Sequence, residues 1–154
     1  MPTEIEHKYL IDSAAWGLVQ PDSSVNIQQG YLLSVPEKTI RIRIAGNEGF
    51  ITIKGKTIGA SRPEYEYAIP VHEAEELLSL CDSIIHKTRH RISVDGMEWE
   101  VDEFHGLNAG LWIAEIELSS EIESYSKPPW LGMEVTHDPL YSNSSLAKRP
   151  YSTW

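Results

Sequence analysis

The chain has 154 residues, 13 Lys plus Arg against 23 Asp plus Glu, and a formal net charge of −10 at pH 7. That length fits one domain, over residues 1–154, with room for a real core. The acidic balance excludes a generic nucleic-acid surface, which needs clustered surplus basic charge, but not a local basic site.

Alternation with period two dominates the chain, the mark of strands. It predicts strands near residues 3–11, 27–33, 39–45, 49–56, 63–70, 85–94, 97–104 and 111–119. Gly46-Asn47 separates the third from the fourth. Asp95-Gly96 separates the sixth from the seventh and is a strong hairpin signal, because that pair accepts the positive φ of a type I′ turn. Helical pattern is scarce. Residues 71–80 set Glu73, Glu75 and Glu76 against Ala74, Leu77, Leu78 and Leu80, an amphipathic helix. Weaker helical segments are 12–18, 120–126 and 143–148, the last opened by a capping residue, Asn143. Pro128-Pro129 breaks the chain before Trp130. Eight strands in so small a domain predict an α+β, mainly β fold: an eight-stranded closed antiparallel barrel with a few helices packed outside.

Residues two apart on a strand share a face. Glu4, Glu6 and Lys8 therefore stand together on the first strand, and Arg41 with Arg43 on the third. Lys54 and Lys56 share a face of the fourth, Glu64 and Glu66 of the fifth. Lys87, Arg89 and Arg91 align on the sixth, and Glu115 with Glu117 on the eighth. Ile, Tyr and Leu fill most of the opposite faces. Periodicity alone leaves two readings open: a charged exterior around an apolar core, or a charged lumen inside an apolar wall. Segregation of the signs by strand favours the lumen, since Arg41 beside Arg43 repels without a shared anion.

An inward orientation carries chemistry. So many buried ions need a ligand, a metal or water to compensate them. Arg and Lys from several strands suit phosphate oxygens. Paired glutamates are hard ligands for Mg²⁺ or Mn²⁺. Together they supply the parts for metal-assisted phosphoryl transfer to water.

The motifs resemble a known family. EIEHK at residues 4–8 resembles the ExExK signature of the CYTH superfamily, also called triphosphate tunnel metalloenzymes. RIR at 41–43, TIKGK at 52–56, RPEYEY at 62–67, KTRHR at 87–91, WEVDEF at 99–104, AEIEL at 114–118 and the segment 132–147 follow in the family's order. The resemblance implies a tunnel that binds a triphosphate-containing substrate with a divalent metal, Mg²⁺ or Mn²⁺. It implies Glu4, Glu6, Glu115 and Glu117 as metal ligands, and Lys8, Arg41, Arg43, Lys54, Lys87 and Arg89 as phosphate ligands. Catalysis would centre on Glu4, Glu6, Lys8, Lys87 and Glu117, with Glu64, Glu66 and Asp102 as further carboxylates that orient lysines and arginines. The short form most resembles inorganic triphosphatases, which yield pyrophosphate and phosphate. A class IV adenylate cyclase, a thiamine triphosphatase and, from another class, a non-catalytic polyphosphate-binding module are the alternatives.

Other residues have plainer readings. Cys81, the single cysteine, lies in an apolar run and reads as a small buried hydrophobe. The histidines show no metal-ligand spacing, and the tryptophans read as packing groups. Lys56 and Arg91 sit near strand ends, Arg62 reads as a turn residue, and Tyr31 could face either side. The segment 143–149 fits a helix across one tunnel mouth, with Lys148 and Arg149 near the ligand, or a plain surface helix. Charges begin at Glu4 and no apolar run reaches the ~20 residues of a membrane span, so no signal peptide or span is expected. The expected location is the cytoplasm, as monomer or homodimer, with a small-molecule partner and neither nucleic acid nor membrane.

Overall fold

A computed structural model describes residues 2–154. Its strands are β1 (Thr3–Ile11), β2 (Ser23–Val35), β3 (Lys38–Ala45), β4 (Glu48–Lys54), β5 (Ser61–Ile69), β6 (Ile84–Val94), β7 (Met97–Phe104), β8 (Trp112–Glu117) and β9 (Leu131–Glu134). The helices are α1 (Ser13–Trp16), α2 (Val71–Leu78) and α3 (Asn143–Lys148). The strands pair antiparallel in the order β5-β4-β3-β2-β6-β7-β8-β1, and a β1–β5 pairing closes them into an eight-stranded barrel. The hairpin after β6 has φ of 49° at Asp95 and 79° at Gly96, the double positive φ of a type I′ turn.

Several elements differ from those predicted, and the second strand lengthens from 27–33 to Ser23–Val35. Residues 120–126 form turns and irregular chain instead of a helix. β4 ends at Lys54, so Lys56 is not on the strand, although Gly55 N–H still donates to the Pro63 carbonyl at 2.9 Å. β9 has too little alternation to be seen in the sequence. It forms because β1 offers an unfilled edge: β5 takes residues 3–5, and β9 pairs through Tyr9↔Glu134 and Ile11↔Leu131.

The apolar faces turn outward and are covered. Tyr9, Trp99, Val101, Ala114, Ile116 and Leu118 pack beneath Trp16 and Trp130 on the β1-β7-β8 wall. α2 lays Ala74 and Leu78 on Ile42, with Ile44, Ile51 and Ile69 around them. That helix sits so close that a Cβ on Gly49 would stand 2.8 Å from the Ala74 Cβ. Each such aliphatic side chain contributes roughly 1.5–3 kcal/mol when fully buried, so the barrel's stability comes from its outer walls. The lumen is left for other groups.

One end of the lumen is apolar too. Ile85, Phe104, Leu111, Ile113 and Leu146 form a buried cluster, joined by Leu10 and Tyr31. Leu10, Ile85, Phe104 and Ile113 share faces with Lys8, Lys87, Asp102 and Glu115, so inward-facing positions change from charged to apolar along those strands. Leu146 from α3, fully buried, completes this floor.

Candidate active site

Alternation delivers one charged set from each strand. β1 supplies Glu4, Glu6 and Lys8; β3 supplies Arg41 and Arg43; β4 supplies Lys54; β5 supplies Arg62, Glu64 and Glu66. β6 adds Lys87, Arg89 and Arg91, β7 adds Glu100, and β8 adds Glu115 and Glu117. All of them line one lumen cavity of about 240 Å³, with Tyr31, Thr39 and residues 142–144. The structure therefore gathers every residue singled out as a metal, phosphate or catalytic ligand. It also settles the orientation that periodicity left open, and places Tyr31 at the lumen.

The signs remain partly separated inside. On one side Glu6 pairs in register with Glu117, and Lys8 with Glu115. Like charges directly opposed destabilise a sheet unless something positive joins them. The carboxyls respond. Burial raises Glu115, and Glu6 raises it further. Burial also raises Glu117, then Glu4 and Glu100 add to it. Glu4 is raised by burial against the pull of Lys54. Burial opposes the charge on Lys8, yet Glu6, Glu115 and Glu4 hold its pKa above the usual lysine value.

The opposite wall is basic. Arg41 donates from Nη2 to Thr52 Oγ1 at 3.0 Å and to Glu66 Oε2 at 3.3 Å. Its Nε is buried with no partner. Arg43 donates from Nε to Gln29 Oε1 at 2.8 Å. Burial, then Arg41 and Arg89, lowers Arg43 to about 9. Of Arg41 and Arg43, only Arg41 is paired with a carboxylate among the described residues.

Asp102 anchors the deepest part, fully buried. It accepts from Lys87 Nζ at 2.7 Å, Arg89 Nε at 2.8 Å and Arg89 Nη2 at 2.9 Å. Those two cations hold it well below the ordinary carboxylate range despite burial. Burial lowers Lys87 to about 7, against the pull of Asp102. Burial likewise opposes Arg89, which Asp102 holds well above its usual value. Glu64 and Glu66 act in the same way nearer the opening: Glu64 pairs with Lys54 at 3.3 Å, Glu66 with Arg41. Lys54 also pairs with Glu4 at 3.0 Å.

Several lumen residues escape a reading of the sequence. Glu100 accepts from Arg89 Nη1 at 3.2 Å and Arg91 Nη2 at 3.3 Å. Its signal was present, since it alternates with Asp102 in WEVDEF. Asn143 had none. Its Oδ1 accepts from Lys87 Nζ at 3.0 Å and from Gln29 Nε2 at 3.1 Å, a contact made only when the C-terminal segment folds back. Ser142, not Asn143, caps α3, accepting from Ser145 N–H, and this frees Asn143 for the lumen. Arg62 is a correction: it lies within β5 opposite Glu4 and donates to the Gly55 carbonyl at 3.0 Å. Lys148 donates to the Ser34 carbonyl at 2.6 Å and lines a second cavity of about 430 Å³, which shares Glu4, Glu6, Lys8 and Arg62 with the first. Lys56 and Arg149 line neither cavity.

A divalent cation fits this donor set in one respect: carboxylates that repel one another occupy one wall. Among the described residues no three acidic, His or Cys side chains stand together at ligand spacing. Glu4 and Glu6 must turn from Lys54 and Lys8 to take a cation. No helix among the described residues is long and apolar enough to cross a membrane.

Comparison with known proteins agrees with this geometry. The CYTH domain model matches residues 2–151. An inorganic triphosphatase of Acetivibrio thermocellus is 45% identical over 156 residues, covering 100% of this chain and 99% of its own. An inorganic triphosphatase of Nitrosomonas europaea is 37% identical over 150 residues, with 94% and 97% covered. A crystal structure of an inorganic triphosphatase superposes with a TM-score of 0.65 at 35% identity, covering 96% of this chain and 95% of that one. With the match running through every strand that feeds the lumen, the chain belongs to the CYTH domain family.

Proposed function

We propose that this protein hydrolyses inorganic triphosphate to pyrophosphate and phosphate inside the barrel, using Mg²⁺ or Mn²⁺. One observation carries the reading: a 240 Å³ lumen with carboxylates on one wall and arginines and lysines on the other, among them Arg41 with a buried Nε that has no partner. Anion capture alone needs only the basic wall. The names of the two relatives support the choice of substrate.

Arg41, Arg43, Lys54, Lys8, Lys87 and Arg89 hold the phosphate oxygens, and Arg41 Nε offers a donor that nothing in the chain uses. Glu4, Glu6, Glu115 and Glu117 would hold the cation, which would supply Lewis-acid charge neutralisation at the phosphates. The basic residues stabilise charge on the transferred group and on the departing pyrophosphate. A lumen glutamate left free by the cation takes the proton of the attacking water.

The test is phosphate release from triphosphate, pyrophosphate, long polyphosphate, ATP and thiamine triphosphate by wild type and Glu6→Gln. We expect metal-dependent turnover of triphosphate above ATP, stopped by chelator. Glu6→Gln should lose on the order of 100-fold or more, beyond the effect of outer-shell partners. Cyclic AMP from ATP would make it a cyclase, and metal-dependent binding without product a polyphosphate-binding module. Unchanged turnover in Glu6→Gln would remove Glu6 from the site.

A further inference from the structure

Closure of the barrel leaves part of one strand edge unused. β5 pairs with β4 from Gly49↔Ile69 to Lys54↔Glu64, but with β1 only at Thr3↔Pro63, Glu4↔Arg62 and Ile5↔Ser61. The outermost bond on that side runs from Glu64 N–H to the Pro2 carbonyl, 3.2 Å. Backbone groups alternate in direction along an antiparallel strand, so Glu66 and Ala68 present N–H and C=O to the same side as Glu64. Among the described residues nothing pairs with that edge past Glu64. Residues 65–68 are exposed.

Free edges are normally guarded by lysine, proline, a bulge or a covering segment. Residues 65–69, Tyr-Glu-Tyr-Ala-Ile, contain no lysine or proline and pair with β4 without a bulge; their one inward-pointing charge, Glu66, is engaged by Arg41. Tyr65 and Tyr67 face outward, 36% and 56% exposed, beside Ile53 at 38%. On a chain of net charge −10 this uncharged strip is where two copies can approach.

We propose that this edge pairs with the same edge of a second copy, antiparallel across a two-fold axis at Tyr67. In that register Glu66 faces the partner's Ala68 and Ala68 faces the partner's Glu66. These are the residues whose backbone groups point outward, so each pair exchanges both hydrogen bonds. The two Tyr67 side chains meet as a non-hydrogen-bonded pair, the closest kind. Glu66, already engaged by Arg41, faces an alanine and no other carboxylate. Neighbouring registers fail. An axis at Glu66 opposes two carboxylates, and an axis at Ala68 sets Glu66 against Pro70, which has no N–H. This self-complementarity selects a second copy over an unrelated strand.

Sedimentation equilibrium of the full chain at micromolar concentrations is expected to give twice the chain mass. Ala68→Pro removes an outward N–H at a position where an edge strand tolerates proline. Tyr67→Glu places two carboxylates at the axis. Both variants should sediment as single chains with wild-type circular dichroism. Hydrogen exchange at the Glu66 and Ala68 amides should be slow in wild type and fast in Tyr67→Glu. A wild type of single-chain mass at every concentration, or a dimer that neither substitution dissociates, overturns the proposal. Slow exchange at these amides in a single-chain species would give the edge to another segment of the chain, and overturns it equally.

Discussion

Asparagine in place of Asp102 keeps the side-chain volume and removes one charge from the deepest part of the lumen. Asp102 is 0% exposed and receives three donors, one from Lys87 and two from Arg89. An asparagine can accept through one oxygen only. Its NH₂ would face a cation's N–H, donor against donor; Lys87 would lose its counter-charge and Arg89 would keep only Glu100. Removing one partner of a buried ion pair costs roughly 3–5 kcal/mol. For a domain of this size each kcal/mol moves the melting point by about 2–4 °C, so the expected fall is on the order of 10 °C. The variant lumen also carries surplus positive charge, which triphosphate would compensate. Ligand should therefore raise the melting point of the variant more than that of wild type. Calorimetry with and without triphosphate, in chelator to prevent turnover, reads both effects. A melting point within about 2 °C of wild type, or a smaller ligand-induced rise, would refute Asp102 as the counter-ion of Lys87 and Arg89.

Three further outcomes follow from the same geometry. Arg41→Lys keeps the charge near Glu66 but loses the fork and the spare Nε, so KM for triphosphate should rise about 10-fold, with kcat changed less; a fall in kcat with KM unchanged would mean that Arg41 acts mainly in the transition state. Glu115→Gln should raise the melting point of the metal-free protein at pH 7. Burial and Glu6 raise the folded-state carboxyl of Glu115 above the ordinary glutamate value, so the folded chain holds more protons there. Stability is full below that value and falls as pH rises through the raised pKa. Removing the group should flatten the decline, and a steeper decline in the variant would contradict this sign. Leu146→Ala should cost about 2–5 kcal/mol, seen in the urea midpoint, because Leu146 is fully buried in the lumen floor. An unchanged midpoint would mean that α3 does not seal the barrel.

Much of this site was legible because a strand repeats every two residues. Once the charged face of one strand points inward, the closed pairing carries the others with it: Glu6 to Glu117, Arg41 to Thr52 and Glu66, Lys87 and Arg89 to Asp102. Arg62, expected in a turn just before a strand at 63–70, lies on that strand because β5 begins at Ser61, with proline tolerated at this short β1–β5 seam. Residues 120–126 carry helical spacing, but propensity alone does not hold a helix, and the segment is instead fixed by Tyr125 packing on Tyr9 and Trp99 and by Glu121 accepting from Ala60 N–H.

Sequence alone determined which side chains could share a face, where the hairpins turn, and which chemistry a lumen of arginine, lysine and glutamate could perform. Those are local properties, set by backbone alternation and by the φ each residue tolerates. Only the tertiary structure decided that the charges face inward, that β9 fills the vacant edge of β1, and that α3 brings Asn143 onto Lys87 and Leu146 into the floor. Such contacts join residues far apart in the chain, as with Lys87 and Asn143, and no local pattern encodes which distant groups packing will bring together.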